Sequence, residues 1–183
     1  RTMQRVDAHT ADLPLFDVAH TQRLEAAAMA GLPTHALMRR AGAAVARLAQ
    51  RAGYTVDVVS LVEPETLAGD ARRAYLDWCT LGLGLIDAEH LKEVDVVVDA
   101  LFGTGLQREV SGVWRDMIEA INVAGVPVVA VDVPSGLNAD TGSVMGVAVH
   151  AHVTVSFIGL KQGMFTHQAA DYCGEIVFES LNV

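Results

Sequence analysis

Val94-Asp95-Val96-Val97-Val98-Asp99-Ala100-Leu101, followed by Phe102-Gly103-Thr104-Gly105-Leu106, is the stretch on which the fold turns. Its first eight residues are nearly continuous apolar and β-branched, the pattern of a strand buried on both faces. The glycines behind it let backbone N–H groups come close to an anion. Downstream, Ser111 is placed to cap a helix running to about Val123, with Trp114, Met117, Ile118 and Ile121 on one side and Gly125 as terminator. Val126–Val131 reads as a second buried strand, His152–Ile158 as a third and Glu175–Phe178 as a last one. Strands that alternate with helices and carry apolar runs imply an α/β chain built on a mostly parallel sheet covered on both sides.

The upstream half fits the same scheme. Asp17 can cap a helix whose apolar positions Val18, Leu24, Ala28 and Met29 recur at helical intervals, with Gly31 as its stop. Thr34 opens another helix, with Leu37, Met38, Ala41, Val45 and Leu48 on its stripe and Gly53 at its end. Thr55–Val62 changes to a strand period. Helical stretches follow at Glu65–Thr80, where Tyr75 and Trp78 are expected to pack, and at Asp87–Lys92.

In an open parallel sheet, ligands bind beyond the carboxyl ends of the strands. Three successive strands end in chemistry: Asp99 with its Gly-Thr-Gly turn, Asp132 with Val133-Pro134-Ser135-Gly136-Leu137, and Gly159-Leu160-Lys161-Gln162-Gly163. Each piece alone has an ordinary reading, as a tight turn, a turn-capping acid and a surface lysine. Together they outline an anion-tolerant pocket holding an acid, a base and a cation. His150 and His152 flank a strand start away from that edge and read as structural or solvated. Asp140-Thr141-Gly142 reads as a turn, Arg39 and Arg40 as the solvated side of a helix, and Asp95 as a local acceptor within its strand.

Composition narrows the classes further. Of 183 residues, 51% are hydrophobic, which supplies a real core and excludes intrinsic disorder. The net charge is −9, only Lys92 and Lys161 are lysines, and no basic stripe exists for phosphate neutralisation, which argues against nucleic acid as the main partner. No apolar run approaches the roughly 20 residues of a membrane span, and Arg1–Thr10 has no apolar signal core, so a soluble protein is expected. Cys79 and Cys173 are too few for a disulfide framework, fit a reducing, cytoplasmic setting, and are expected as small buried hydrophobes.

The combination of Val98–Leu106, Val131–Gly142 and Thr154–Gly163, with Leu37-Met38-Arg39-Arg40-Ala41-Gly42 upstream, resembles the YjeF N-terminal domain family. The likeness extends over nearly the whole chain, read as a single domain spanning residues 1–183. It implies a three-layer αβα sandwich, Rossmann-like, and an NAD(P)HX epimerase that interconverts the R and S forms of hydrated NADH or NADPH. By the family's pattern, Asp132 is the substrate-contacting carboxylate and acid–base group. Asp99 and Ser135 match positions that hold potassium, and Gly103-Thr104-Gly105-Leu106-Gln107-Arg108-Glu109 matches a substrate-phosphate loop. Lys161 stands at the same edge, placed to stabilise either a substrate pyrophosphate or the charge on Asp132. The resemblance also implies a homodimer and a dehydratase partner, fused or separate.

One departure stands out. The family's first strand and its Gly-Asn-Asn-Gly-Gly-Asp-Gly loop have no counterpart here, and about 30 residues are missing near Ala44–Val45, judged from the usual size of such a segment. A string that joins two segments competes with a chain that lacks the loop. The first is preferred, because losing a central strand orphans ladder groups at about 1–3 kcal/mol each. A chain without the loop fits better a non-catalytic binding or scaffold domain of the same fold.

Overall fold

The computed structural model describes residues 3–6, 13–29, 57–80 and 88–181. Their elements in chain order are β1 (Gln4–Val6), β2 (Leu15–Phe16), α1 (Val18–Met29), α2 (Gly69–Cys79), β3 (Val97–Asp99), α3 (Val113–Val123), β4 (Val128–Val131), β5 (Val153–Phe157), β6 (Leu160–Lys161) and β7 (Glu175–Glu179). The main sheet has the order β1-β7-β5-β4-β3. Its β7, β5, β4 and β3 are mutually parallel, and β1 adds an antiparallel edge. This is the mostly parallel α/β architecture that the apolar strand runs predict.

Register divides the sheet into two faces. Val97, Val128 and Ala130 look one way, and Met117, Ile118 and Ile121 of α3 pack onto that side with Val110 and Val149. The apolar stripe of α3 therefore sits where its spacing puts it. Val155 and Phe157 look the other way and meet Leu181, Met3, Val129 and Val131. A third cluster, from Val133, Leu137, Ala139, Leu160, Met164, Ala169, Cys173 and Ile176, packs the loop after β4 and the segment after β6 against β7, with Val18 of α1 packed against it. Gly136 makes this possible: it has φ +93°, and a Cβ there would strike the Val147 carbonyl oxygen.

Several local expectations are corrected. The strand expected over Val94–Leu101 forms its ladder only over Val97–Asp99, and Val98 is 45% exposed, so it is half-buried rather than covered on both faces. Asp95 lies before the ladder and is exposed. Ser111 does not cap α3; Gly112 takes that position with φ +60° and no side-chain bond. A left-handed backbone favours the residue with no Cβ over the one with a hydroxyl. Of the strand expected at Thr55–Val62, residues 57–62 make only an isolated bridge at Val58. Val59 and Leu61 bury against the α3 cluster, while the Ser60 hydroxyl bonds the Val62 carbonyl at 2.8 Å, a local partner that competes with a ladder. Cys79 is exposed at the end of α2, unlike Cys173, which is buried in the third cluster. Gly31, the helix expected at Thr34–Gly53, Arg39, Arg40 and the Ala44–Val45 junction lie outside the described residues, as does the side chain of Trp78.

Candidate active site

β4 and β5, neighbours in parallel register, end in the same way. At the end of β4, Val133 N–H bonds the Val131 carbonyl at 2.9 Å around Asp132, whose φ is +72°. At the end of β5, Gly159 N–H bonds the Phe157 carbonyl at 2.6 Å around Ile158, with φ +64°. Three-residue turns with positive φ are rare and strained. Aspartate tolerates the left-handed region because its short polar side chain finds local partners; a β-branched isoleucine does not. Strain of about 1–3 kcal/mol at such a residue persists only where the surroundings impose it.

What the turns accomplish is visible in the bonds of Phe157. Its N–H donates to Asp132 Oδ1 at 3.2 Å, and its carbonyl accepts from Lys161 Nζ at 2.9 Å. Lys161 Nζ in turn bonds Asp132 Oδ1 directly. The backbone of one residue thus holds both members of an ion pair. Lys161 is fully buried, anchored by the pairing of β6 with β2, in which Phe16 lies opposite it. The Asp132 side chain is 20% exposed. Both of its bonds fall on Oδ1, so Oδ2 has no donor among the described residues. A buried ammonium therefore orients a carboxylate whose second oxygen takes no hydrogen bond from the described residues.

Asp99, at the end of β3, is 1% exposed. Its Oδ2 accepts the Ser135 N–H at 2.8 Å, and its Oδ1 accepts the Ser135 hydroxyl at 2.6 Å and the Leu101 N–H at 3.3 Å. The Phe102 N–H donates to Ser135 Oγ at 2.9 Å. This network ties the loop after β3 to the loop after β4, and so to Asp132 three residues before Ser135. No cation pairs with Asp99 among the described residues, and burial pushes its carboxyl above the usual carboxylate range, against the pull of the Ser135 and Leu101 bonds. A buried carboxylate with donors but no counter-charge among the described residues, beside the Ser135 hydroxyl and the Phe102 carbonyl, suits a hard monovalent cation. Beyond it, Gly103 and Gly105 are exposed, and a Cβ at either would meet nothing. Thr104 and Leu106 are half-buried; Gln107, Arg108 and Glu109 are exposed.

The structure thus brings Asp99, Asp132, Ser135 and Lys161 to one end of the sheet, with the 103–109 loop leading away from it. It adds Glu25 of α1, which sequence reasoning missed. Burial raises the Glu25 carboxyl, the Asp132 charge raises it further and Lys161 opposes both. The outer end of α1 is fixed by Asp17 Oδ1, which accepts the His20 N–H at 2.5 Å, and by Asp140 Oδ1, which accepts the Val18 N–H at 2.7 Å. Asp140 therefore does more than make a turn. His150 and His152 sit at the opposite end of the strands, as expected: His152 Nδ1 accepts the Val128 N–H at 3.1 Å, and His150 stacks on Tyr172 at 4.2 Å.

Comparison with known proteins agrees with this architecture. The family model described as YjeF-related protein N-terminus matches residues 35–163. A bifunctional NAD(P)H-hydrate repair enzyme, Nnr, of Vibrio cholerae is 46% identical over 144 residues, covering 78% of this chain and 29% of its own length. An NAD(P)H-hydrate epimerase of Limosilactobacillus fermentum is 40% identical over 138 residues, 74% of this chain and 66% of its own length. The chain thus spans under a third of the bifunctional relative and about two thirds of the epimerase. In fold, it is similar to the crystal structure of the yeast protein ynu0, YNL200c, with a TM-score of 0.70 at 17% identity, covering 85% of each chain.

Proposed function

Because the chain belongs to the YjeF-related N-terminal family, we propose that it is an isomerase that interconverts the R and S forms of NADHX and NADPHX, the hydrated nicotinamide nucleotides. The observation that carries this reading is Asp132: a carboxylate on a strained strand end, clamped through one oxygen by Lys161 and Phe157, with its other oxygen without a donor among the described residues.

The substrate bears a hydroxyl at nicotinamide C6. Inversion proceeds by breaking the C6–O bond as the ring-nitrogen lone pair moves in, which leaves a C=N⁺ unit, with water then returning to the other face. The departing oxygen needs a proton, and the incoming water must give one up. Asp132 Oδ2 is the group for both steps: it gives its proton to the departing oxygen, stands between the steps as a carboxylate paired with Lys161, and takes a proton back from the incoming water. Lys161 keeps Asp132 in place and balances its charge. The glycine loop at Gly103–Glu109 receives the phosphate side of the substrate through backbone N–H groups.

Potassium would be held by Asp99 and Ser135. When bound, it compensates the buried Asp99 charge and so firms the two loops that this network joins. A bifunctional relative supports a dehydratase partner that consumes one epimer, fused or separate; a homodimer belongs to the same reading. No described helix is long and apolar enough to cross a membrane; we read the setting as cytoplasmic.

The test is a nuclear magnetic resonance assay of R/S exchange in hydrated NADPH, using full-length protein with and without potassium. Accelerated exchange that weakens without potassium, and whose potassium response is lost in Asp99→Asn, is the expected result. Exchange no faster than in buffer would overturn the proposal and favour a binding or scaffold role.

A further inference from the structure

Ile158 holds a left-handed backbone that its own chemistry opposes. A β-branched residue at φ +64° stays there only where its neighbours forbid the extended alternative. Two neighbours bear on it. On one side, the Ile158 N–H donates to the Glu179 carbonyl of β7 at 3.1 Å. On the other, the Phe16 ring lies so close to Gly159 that a Cβ added there would stand 2.6 Å from Cδ2 and 3.1 Å from Cε2. Gly159 does not adopt the left-handed backbone, so its dihedral angles do not call for glycine. Its missing side chain is the seat of the ring.

Phe16 is held in place from its own side. β2 and β6 are each two residues long, too short a ladder to fix the contact by backbone pairing alone, and its register sets Phe16 opposite Lys161. α1 starts just beyond, with its first N–H fixed by Asp140 Oδ1 at 2.7 Å, and the Phe16 ring meets His20 with centroids 6.0 Å apart. The turn under the ring carries the ion pair. The Phe157 carbonyl, which accepts the Gly159 N–H at 2.6 Å, also accepts Lys161 Nζ at 2.9 Å. The Ser156 hydroxyl donates to the Gly159 carbonyl and accepts from Lys161 Nζ, both at 3.4 Å. Lys161 is fully buried, so a turn that opened would leave the ammonium short of a partner.

We propose that Phe16 is a positioning residue of Lys161 and Asp132: its ring, seated on Gly159, keeps the Ile158 turn closed and so holds the Phe157 backbone against both. Its effect on turnover rests on the epimerase reading, but the bracing itself does not.

The experiment is a mutant cycle over Phe16 and Gly159 in ¹⁵N-labelled full-length protein. The Lys161 side-chain nitrogen signal is identified by its loss in Lys161→Met. Gly159→Ala drives the ring off its seat and should speed hydrogen exchange at Lys161 Nζ about 10-fold, because the turn opens more often. In R/S exchange it should lower kcat about 10-fold with KM within about twofold, short of the ~100-fold that a 1 Å misplacement can cost. Phe16→Ala should do the same, and the two changes together should cost no more than either alone. Phe16→Leu, whose side chain yields to a methyl where a rigid ring cannot, should restore most of what Gly159→Ala loses. Leu15→Ala removes an exposed side chain from the same ladder and should match wild type. A Phe16 that only fills space would lower the melting temperature and leave the Lys161 signal as it is. Lys161 exchange at the wild-type rate in Gly159→Ala therefore overturns the proposal, as does a Gly159→Ala defect that Phe16→Leu leaves uncorrected. Absence of R/S exchange in the wild type counts against the epimerase reading alone, since the Lys161 signal judges Phe16 without substrate.

Discussion

The two ends of the same parallel strands handle polar groups in opposite ways. At the amino end, neutral partners match one for one: His152 accepts from Val128, the Asn122 side chain donates to the Ala148 carbonyl at 2.9 Å and accepts the His150 N–H at 2.9 Å, and His150 lies on Tyr172. At the carboxyl end, charges are gathered instead. Among the described residues Asp99 is buried without a cationic partner, Asp132 is paired with the buried Lys161, Glu25 is half-buried with its carboxyl raised, and Asp132 and Ile158 sit at positive φ. Paired neutral groups add rigidity at little risk. Grouped charges in a low-dielectric setting lower stability unless something completes them, which is how strain and desolvation mark a working site.

The sharpest way to break this contrast is Lys161→Met. Removing the ammonium leaves Asp132 bound to one amide, so R/S exchange should fall at least 100-fold. Stability should drop by about 3 kcal/mol, the low end for a broken buried pair because Asp132 reaches solvent, as urea unfolding would measure. Asp132→Asn comes next. It keeps the side chain's shape but removes the proton carrier, so exchange should fall about 100-fold or more while the circular dichroism spectrum stays unchanged. Wild-type turnover in this variant would remove Asp132 from the chemistry.

At the amino end, His150→Ala should cost about 1 kcal/mol from the lost ring stack and leave exchange untouched. A loss of activity there would erase the distinction between the two ends. The smallest effect is expected from Glu25→Gln on stability. A carboxyl raised in the folded state binds its proton more tightly than in the unfolded chain. Its contribution is therefore full below the ordinary value of 4.5 and is lost as pH rises through the raised folded value. Melting temperatures of wild type and Glu25→Gln, compared from pH 4 to 8, should shift in favour of the variant as pH increases.

Strand-end chemistry was legible in the sequence because parallel sheets force it: Asp99, Asp132 and Lys161 each close an apolar run, and the fold brings those ends together. Glu25 was not legible. A glutamate beside Leu24, in a helix of alanines, looks solvated, and only the pairing of β2 with β6 turns that face inward while leaving Leu24 outside. The turn at Ile158 was hidden for the opposite reason. An isoleucine after Val153–Phe157 simply extends a strand pattern, and nothing in its chemistry announces a reversed backbone. Ser111 shows the same limit at a helix start, where the dihedral angles at Gly112 decided the cap. The short ladder of β3 reflects its partner: Val97–Asp99 pair with Val128–Ala130, and the apolar run extends beyond the paired segment.

The contrast between the two cysteines has a practical consequence. Burial pushes the Cys173 thiol up to about 12, so it offers essentially no thiolate to an alkylating reagent at neutral pH, whereas Cys79 stands exposed at the end of α2. A maleimide dye should therefore attach at one position without any cysteine first being engineered away. That gives a single optical reporter on a helix remote in sequence from Asp99, Asp132 and Lys161.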